Sequence, residues 1–155
     1  MERIPITRAG YDALKRELEH LKTVERPNNI KAIEEARAHG DLSENAEFHA
    51  AKERQSFIEG RLSELGYKLG NADIIDTDNV SKDRLVFGCN AVLENVDTGE
   101  SVAYQLVGPD ESDVAAGRIS VTSPLGRAMI GKEIGEEVVV AAPAGRRVYE
   151  IVDIL

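Results

Sequence analysis

The sequence predicts an α+β protein, with a long N-terminal antiparallel α-helical coiled-coil hairpin followed by a small domain of twisted antiparallel sheet and one short helix. Three observations predict it. Apolar residues recur three and four positions apart through the first seventy residues, as on a helical seam. From Asp73 onward the apolar residues fall instead into short runs with alternating faces, as in strands. Midway through the helical part, Gly40 interrupts the pattern within the acidic stretch Ala36–Glu53, and the pattern restarts at once, which folds the chain back on itself.

Composition narrows the class. Of 155 residues, 42% are hydrophobic but only 5% are aromatic and none is Trp, so the core must be aliphatic. The net charge of -9 argues against a protein that coats bare nucleic acid, where phosphate neutralisation supplies most of the affinity. It leaves room for one that meets nucleic acid inside a larger machine. Residues 1–75 hold 12 Lys/Arg against 14 Asp/Glu, and residues 76–155 hold 7 against 14, so the two halves present different surfaces. Cys89 is the only cysteine and reads as a small buried apolar residue, with no disulfide possible within the chain. No run approaches the ~20 apolar residues of a membrane span, and the N-terminus lacks a signal-peptide apolar stretch. A cytoplasmic, monomeric protein with no membrane partner is expected.

Each element has its own signal. Ile4-Pro5-Ile6 is extended, and Thr7 is placed to cap a helix. Tyr11, Leu14, Leu18 and Leu21 form the first seam. Pro27 should kink or break that helix near residues 25–28, because it removes a backbone donor and crowds the preceding turn. Ile30, Ile33 and Ala36 resume the rhythm, and Gly40 ends it. Phe48, Ala51, Gln55, Ile58, Leu62, Leu65 and Leu69 form the second seam, with Gln55 as its polar member and Gly70-Asn71 as its C-terminal stop. Strands are expected at Ile74-Ile75, Leu85–Leu93, Val102–Val107, Ile119–Thr122, Val138–Ala142 and Val148–Ile154. Turns are expected at Asp97–Glu100 and Pro143–Gly145. Ser123, Pro124 and Gly131 have the spacing of an N-cap, a first helical residue and a stop. The domains are expected to divide as 1–75 and 76–155.

The hairpin tip collects Asp41, Glu44 and Glu47 with His39 and His49, flanked by Arg37 and Lys52. Asp41 and Glu44, three apart, have the spacing of a capping box at the start of the second helix. The same two carboxylates could instead hold a hard divalent ion such as Mg²⁺, with the remaining ligands supplied by a partner. The residues leave both readings open. His39 and His49 match no tight metal motif. Arg37 and Lys52 read either as solvated helix faces or as groups that steer an RNA phosphate toward the metal.

The stretch Ala36–Glu53, together with Ile4–Thr7, Glu59–Leu62 and Ser123–Lys132, closely resembles the bacterial Gre transcript-cleavage factors of GreA type over the whole chain. The resemblance implies a coiled coil that enters the secondary channel of RNA polymerase and an FKBP-like domain that docks at the channel mouth. It implies that the factor is no enzyme itself but stimulates the polymerase's own Mg²⁺-dependent cleavage of backtracked RNA 3′ ends. Asp41 and Glu44 match the family's acidic pair, which helps hold the second Mg²⁺ and the attacking water; no metal is expected to stay on the isolated protein. Arg37 and Lys52 fall where the family contacts RNA, although Lys52 stands where an Arg is expected, which keeps the charge and changes the hydrogen-bonding fork. The corner Ser123, Pro124 and Leu125 is the expected polymerase contact. Some relatives keep the fold and inhibit polymerase, but their tips depart from the Gly-Asp-Leu-x-Glu-Asn pattern retained here. A channel-blocking inhibitor is therefore the alternative. A prolyl isomerase is disfavoured because residues 76–155 offer only Phe87, Tyr104 and Tyr149 as ring-bearing pocket material, and a free-standing nuclease because the metal site is incomplete.

Overall fold

The computed structural model describes residues 3–40, 44–76 and 82–155, apart from the Ala142 side chain. Its contacts divide the chain into two units, Met1–Gly10 with Ala72–Leu155, and Tyr11–Asn71. This differs from the expected division at residue 75 because the first strand belongs with the sheet-bearing part. Strand β1 (Ile4–Ile6) pairs in parallel with β2 (Ala72–Ile74), Ile4 opposite Ala72 and Ile6 opposite Ile74. Glu111 fastens the end of β1. Its carboxylate accepts from the Thr7 backbone N–H at 3.0 Å, from the Gly108 N–H at 2.8 Å and from the Thr7 hydroxyl. The Thr7 hydroxyl also accepts from Gly10 N at 3.0 Å, the capping bond its position predicts.

Helix α1 (Arg8–His20) runs into a π-helical turn (Leu21–Glu25) and then α2 (Arg26–Ala38). Pro27 therefore neither stops nor breaks the helix. Glu25 and Arg26 keep right-handed helical torsions, and the Arg26 N–H reaches back five residues to the Leu21 carbonyl. The wide turn takes up the bonding pattern that a proline disrupts. It also adds one residue to the turn and so rotates the seam. Asn29, Ile33 and Ala36 are buried, whereas Ile30, expected in the seam, is 47% exposed.

Helix α3 (Ala46–Gly70) buries Ala51, Ile58, Leu62 and Leu65 against the first arm. Asn71 closes it, its side-chain amide donating to the Tyr67 carbonyl at 2.7 Å. Cross-arm ion pairs flank the seam. Arg26 meets Glu59 with two bonds of 2.9 Å, Arg54 meets Glu25 at 3.0 Å, and Arg61 meets Glu17 at 2.6 and 2.7 Å. Hydrogen bonding from Arg61 holds the Glu17 carboxyl below its ordinary range, Arg54 does the same for Glu25, and Lys68 for Glu64.

The second sheet has the order β5-β4-β3-β7-β6, from β3 (Asn90–Asn95), β4 (Ser101–Val107), β5 (Arg118–Ser120), β6 (Glu137–Ala142) and β7 (Gly145–Ile154). Neighbours are antiparallel except β4 and β5, which run parallel with Leu106 opposite Ile119. The expectation of an all-antiparallel sheet is corrected there. Two short 3₁₀ turns, Pro109–Glu111 and Val114–Ala116, give the connection the length to cross over. The β3–β4 turn is closed by Gly99 in the left-handed region and by Asn95, whose carboxamide oxygen accepts from Asp97 and Thr98.

The expected strand at Leu85–Leu93 begins only at Asn90. Leu85 is instead tied to the end of the short helix, donating to Lys132 O and accepting from Gly131 N at 2.7 Å each. That helix, α4 (Pro124–Met129), covers a core of Leu85, Cys89, Ala91, Leu93, Leu106, Met129, Val138, Ile151 and Ile154. Cys89 is buried as expected. Among the described residues, no helix is long and apolar enough to cross a membrane.

Candidate functional site at the hairpin tip

The tip is made by two helix ends and the way each is satisfied. Helix α2 finishes with His39 N–H bonding to Ala36 O at 3.2 Å and Gly40 N–H to Arg37 O at 3.1 Å. Gly40 then takes φ 80°, a left-handed torsion open to glycine and costly for a side chain. On the returning arm, Asn45 is the N-cap of α3. Its backbone is extended, and its carboxamide oxygen accepts from Phe48 N at 3.0 Å. The expected capping box led by Asp41 is therefore corrected in part: helix α3 starts after Asn45, so Glu44 precedes the cap and cannot close a box from the third helical position. Asp41 itself, with Leu42 and Ser43, lies outside the described residues.

Asn45 uses both ends of its carboxamide. While the oxygen caps α3, the nitrogen donates to the Ala36 carbonyl at 2.7 Å, across the hairpin. Ala36 is buried at 2% exposure, so this bond anchors the start of the second arm to the last packed turn of the first. Two further contacts cross the tip. The Arg37 guanidinium lies 5.9 Å from the centre of the Phe48 ring, and His39 Nε2 lies 3.8 Å from Glu47 Oε2. The Phe48 and His49 rings meet edge to face at 5.8 Å.

The predicted site residues fall as follows. Glu44 is exposed on the turn just before α3. Arg37 is exposed near the end of α2 and is brought to the second arm through Phe48. Lys52 is exposed in the second turn of α3, where its ammonium donates to Gln55 Oε1 at 2.9 Å. Among the described residues, no three His, Cys, Asp or Glu gather as a complete metal site. Glu44 offers one exposed carboxylate, a hard oxygen donor of the kind Mg²⁺ takes.

Ser123, Pro124 and Leu125 belong to the sheet-bearing unit. Ser123 caps α4: its hydroxyl accepts from Gly126 N at 3.0 Å and donates to Ser120 O at 2.7 Å. Pro124 is exposed, and Leu125 is half-buried against the core.

Sequence reasoning missed Asn45. The available signal was an Asn three residues before Phe48, the first apolar member of the second seam; Asn caps helices as well as Asp does.

Comparison with known proteins gives the family. The model of the transcription elongation factor N-terminal family matches residues 4–74, and that of the GreA/GreB C-terminal family matches residues 80–155. The chain is 57% identical over 155 residues to transcription elongation factor GreA of Hyphomonas neptunium, covering 100% of this chain and 99% of that protein. It is 56% identical over 154 residues to the GreA of Syntrophus aciditrophicus, covering 99% and 96%. Among solved structures it is similar to GreA factor homolog 1 of Thermus thermophilus, at 29% identity, 99% coverage of each chain and a TM-score of 0.45. Family models across both units, and full-length relatives above half identity, show that the chain belongs to the GreA/GreB family of transcription elongation factors.

Proposed function

We propose that the protein binds RNA polymerase, reaches its active site through the secondary channel with the hairpin tip, and stimulates the polymerase's own cleavage of backtracked RNA 3′ ends. The observation that carries this reading is the tip of a family member: Glu44 is exposed on the turn beside Asn45, whose carboxamide caps one helical arm and bonds across to the other. Such a tip can present carboxylates at the end of a long reach without an enclosed pocket. The chain would act as a cofactor of the polymerase rather than as a nuclease.

Each residue has a part in this reading. Asp41 and Glu44 would share a Mg²⁺ ion with the polymerase's active site and orient the attacking water. When bound, Mg²⁺ makes water a better nucleophile and stabilises charge on the phosphodiester. Arg37 and Lys52 are exposed cations, one on each arm, and would pair with phosphates of the extruded RNA. The sheet-bearing unit would dock on polymerase through the Ser123–Leu125 corner, where the Ser123 cap holds Pro124 outward. A monomeric cytoplasmic protein satisfies all of these roles.

The test is to add the protein and Mg²⁺ to a stalled, backtracked elongation complex and look for short 3′ RNA fragments. Fragments that depend on the protein support the reading. Inhibited elongation without fragments would favour a channel-blocking role instead.

A further inference from the structure

Asn45 joins the two arms at the point from which Glu44 is presented. Its carboxamide nitrogen holds the Ala36 carbonyl at 2.7 Å and its oxygen holds the Phe48 N–H at 3.0 Å. Ala36 is followed by Arg37, whose guanidinium returns to the Phe48 ring at 5.9 Å. These contacts close a circuit from Asn45 to Ala36, Arg37, Phe48 and back. Glu44 is bonded directly to one corner of that circuit and Arg37 forms another. A cap alone requires only the oxygen. The bond from the nitrogen is the one that relates the two arms.

We propose that Asn45 is a positioning residue for transcript cleavage, holding the Glu44 carboxylate and the Arg37 guanidinium in a fixed relation across the tip. The proposal rests on the function proposed above, in which Glu44 acts on the metal and Arg37 on the RNA. It adds that the geometry between them is set by the second hydrogen bond of one carboxamide. Small displacements of such groups reduce rates steeply, because the reacting atoms must be held in near-attack geometry.

Two variants isolate that bond. Asn45→Asp and Asn45→Ser both keep an oxygen able to cap α3, and both remove the carboxamide N–H that reaches Ala36: the aspartate carboxylate only accepts, and the serine hydroxyl ends one atom short of the Nδ2 position. Asn45→Asp adds a charge and Asn45→Ser does not, so an effect common to both cannot come from charge. Stimulated cleavage would be measured against factor concentration and against Mg²⁺ concentration, with thermal melting alongside. The expected result for both is a fall of about tenfold in maximal rate, an unchanged half-saturating concentration of factor, a raised Mg²⁺ requirement and near-wild-type melting. Maximal rates within about twofold of wild type, or a loss that follows only melting or half-saturation, would overturn the proposal. Glu44→Gln, run in parallel, separates the two layers. If it stimulates like wild type, the tip reading and the positioning role fall together. If it is silent while both Asn45 variants keep full maximal rate, the positioning role alone falls.

Discussion

The hairpin and the sheet-bearing unit are stabilised in different ways. The hairpin buries one narrow stripe, Leu14, Leu21, Ile33, Ala36, Ala51, Ile58, Leu62 and Leu65, and secures its flanks with ion pairs open to solvent. The sheet-bearing unit has a core in three dimensions, with Leu85, Ala91, Leu93, Leu106, Met129, Val138 and Ile151 at 0% exposure. A seam requires only that two helices stay in register, so its surface and tip are free to carry charge. A core requires every strand to meet its partners, so that unit suits a fixed docking surface. In the function proposed above, the difference separates the part that would reach from the part that would hold.

Core truncation should give the largest effect. Leu93→Ala is expected to cost about 2–5 kcal/mol, since a fully buried leucine leaves a cavity that packed strands only partly close. Denaturant melts followed by a probe in the sheet-bearing unit would measure it. A loss under about 1 kcal/mol would mean that this core is looser than the contrast with the hairpin requires.

A smaller loss is expected at Gly126. A Cβ there would lie 1.9 Å from the Ser120 carbonyl oxygen, which is backbone and cannot swing away. Gly126→Ala should therefore shift α4 away from β5 and cost about 1–3 kcal/mol. The same melts, and weakened polymerase binding through the displaced Ser123 corner, would show it.

The smallest effect belongs to the hairpin's ion pairs. Glu17, Glu25 and Glu64 have carboxyls depressed below 4.5, through bonds from Arg61, Arg54 and Lys68 respectively. A depressed folded value means that these groups stabilise the folded state above the unfolded value, and that the contribution is lost as pH falls through the folded value. Hairpin stability should thus drop from about pH 4.5 downward. Solvent screening limits the Glu17–Arg61 pair to at most about 1 kcal/mol. Helix melting by circular dichroism across pH 7 to 3 tests the sign, and Arg61→Met should flatten the slope. An unchanged slope would remove these pairs from the account of the hairpin.

The two regions also differ in how far the sequence disclosed them. Seam positions such as Leu14, Ile58, Leu62 and Leu65 were readable because helical spacing is local. Ile30 falls outside the seam because, with the residue added by the π-helical turn, the seam after Leu21 passes through Asn29 and Ile33. Leu21 and Ile33 are twelve residues apart, one more than alternating steps of four, three and four allow, and that surplus was the only trace of the turn. In the sheet, the alternation of Cys89, Ala91 and Leu93 disclosed a buried face but not the parallel pairing of β4 with β5. Pairing direction depends on where the crossover between Val107 and Arg118 runs, which no local pattern records. At the tip, the carboxylates were visible by type. The spacing of Asp41 and Glu44 allows a cap as readily as Asn45 does, and only the fold shows that Asn45 caps α3 while reaching Ala36.

The central claim is that the tip supplies function while the rest of the chain supplies delivery. The Asp41→Asn/Glu44→Gln double variant tests it most directly, with polymerase binding and cleavage of a backtracked transcript measured in the same preparation. Binding at wild-type strength with stimulation reduced at least about a hundredfold is the predicted result. Cleavage stimulated at the wild-type rate by the bound variant would contradict it.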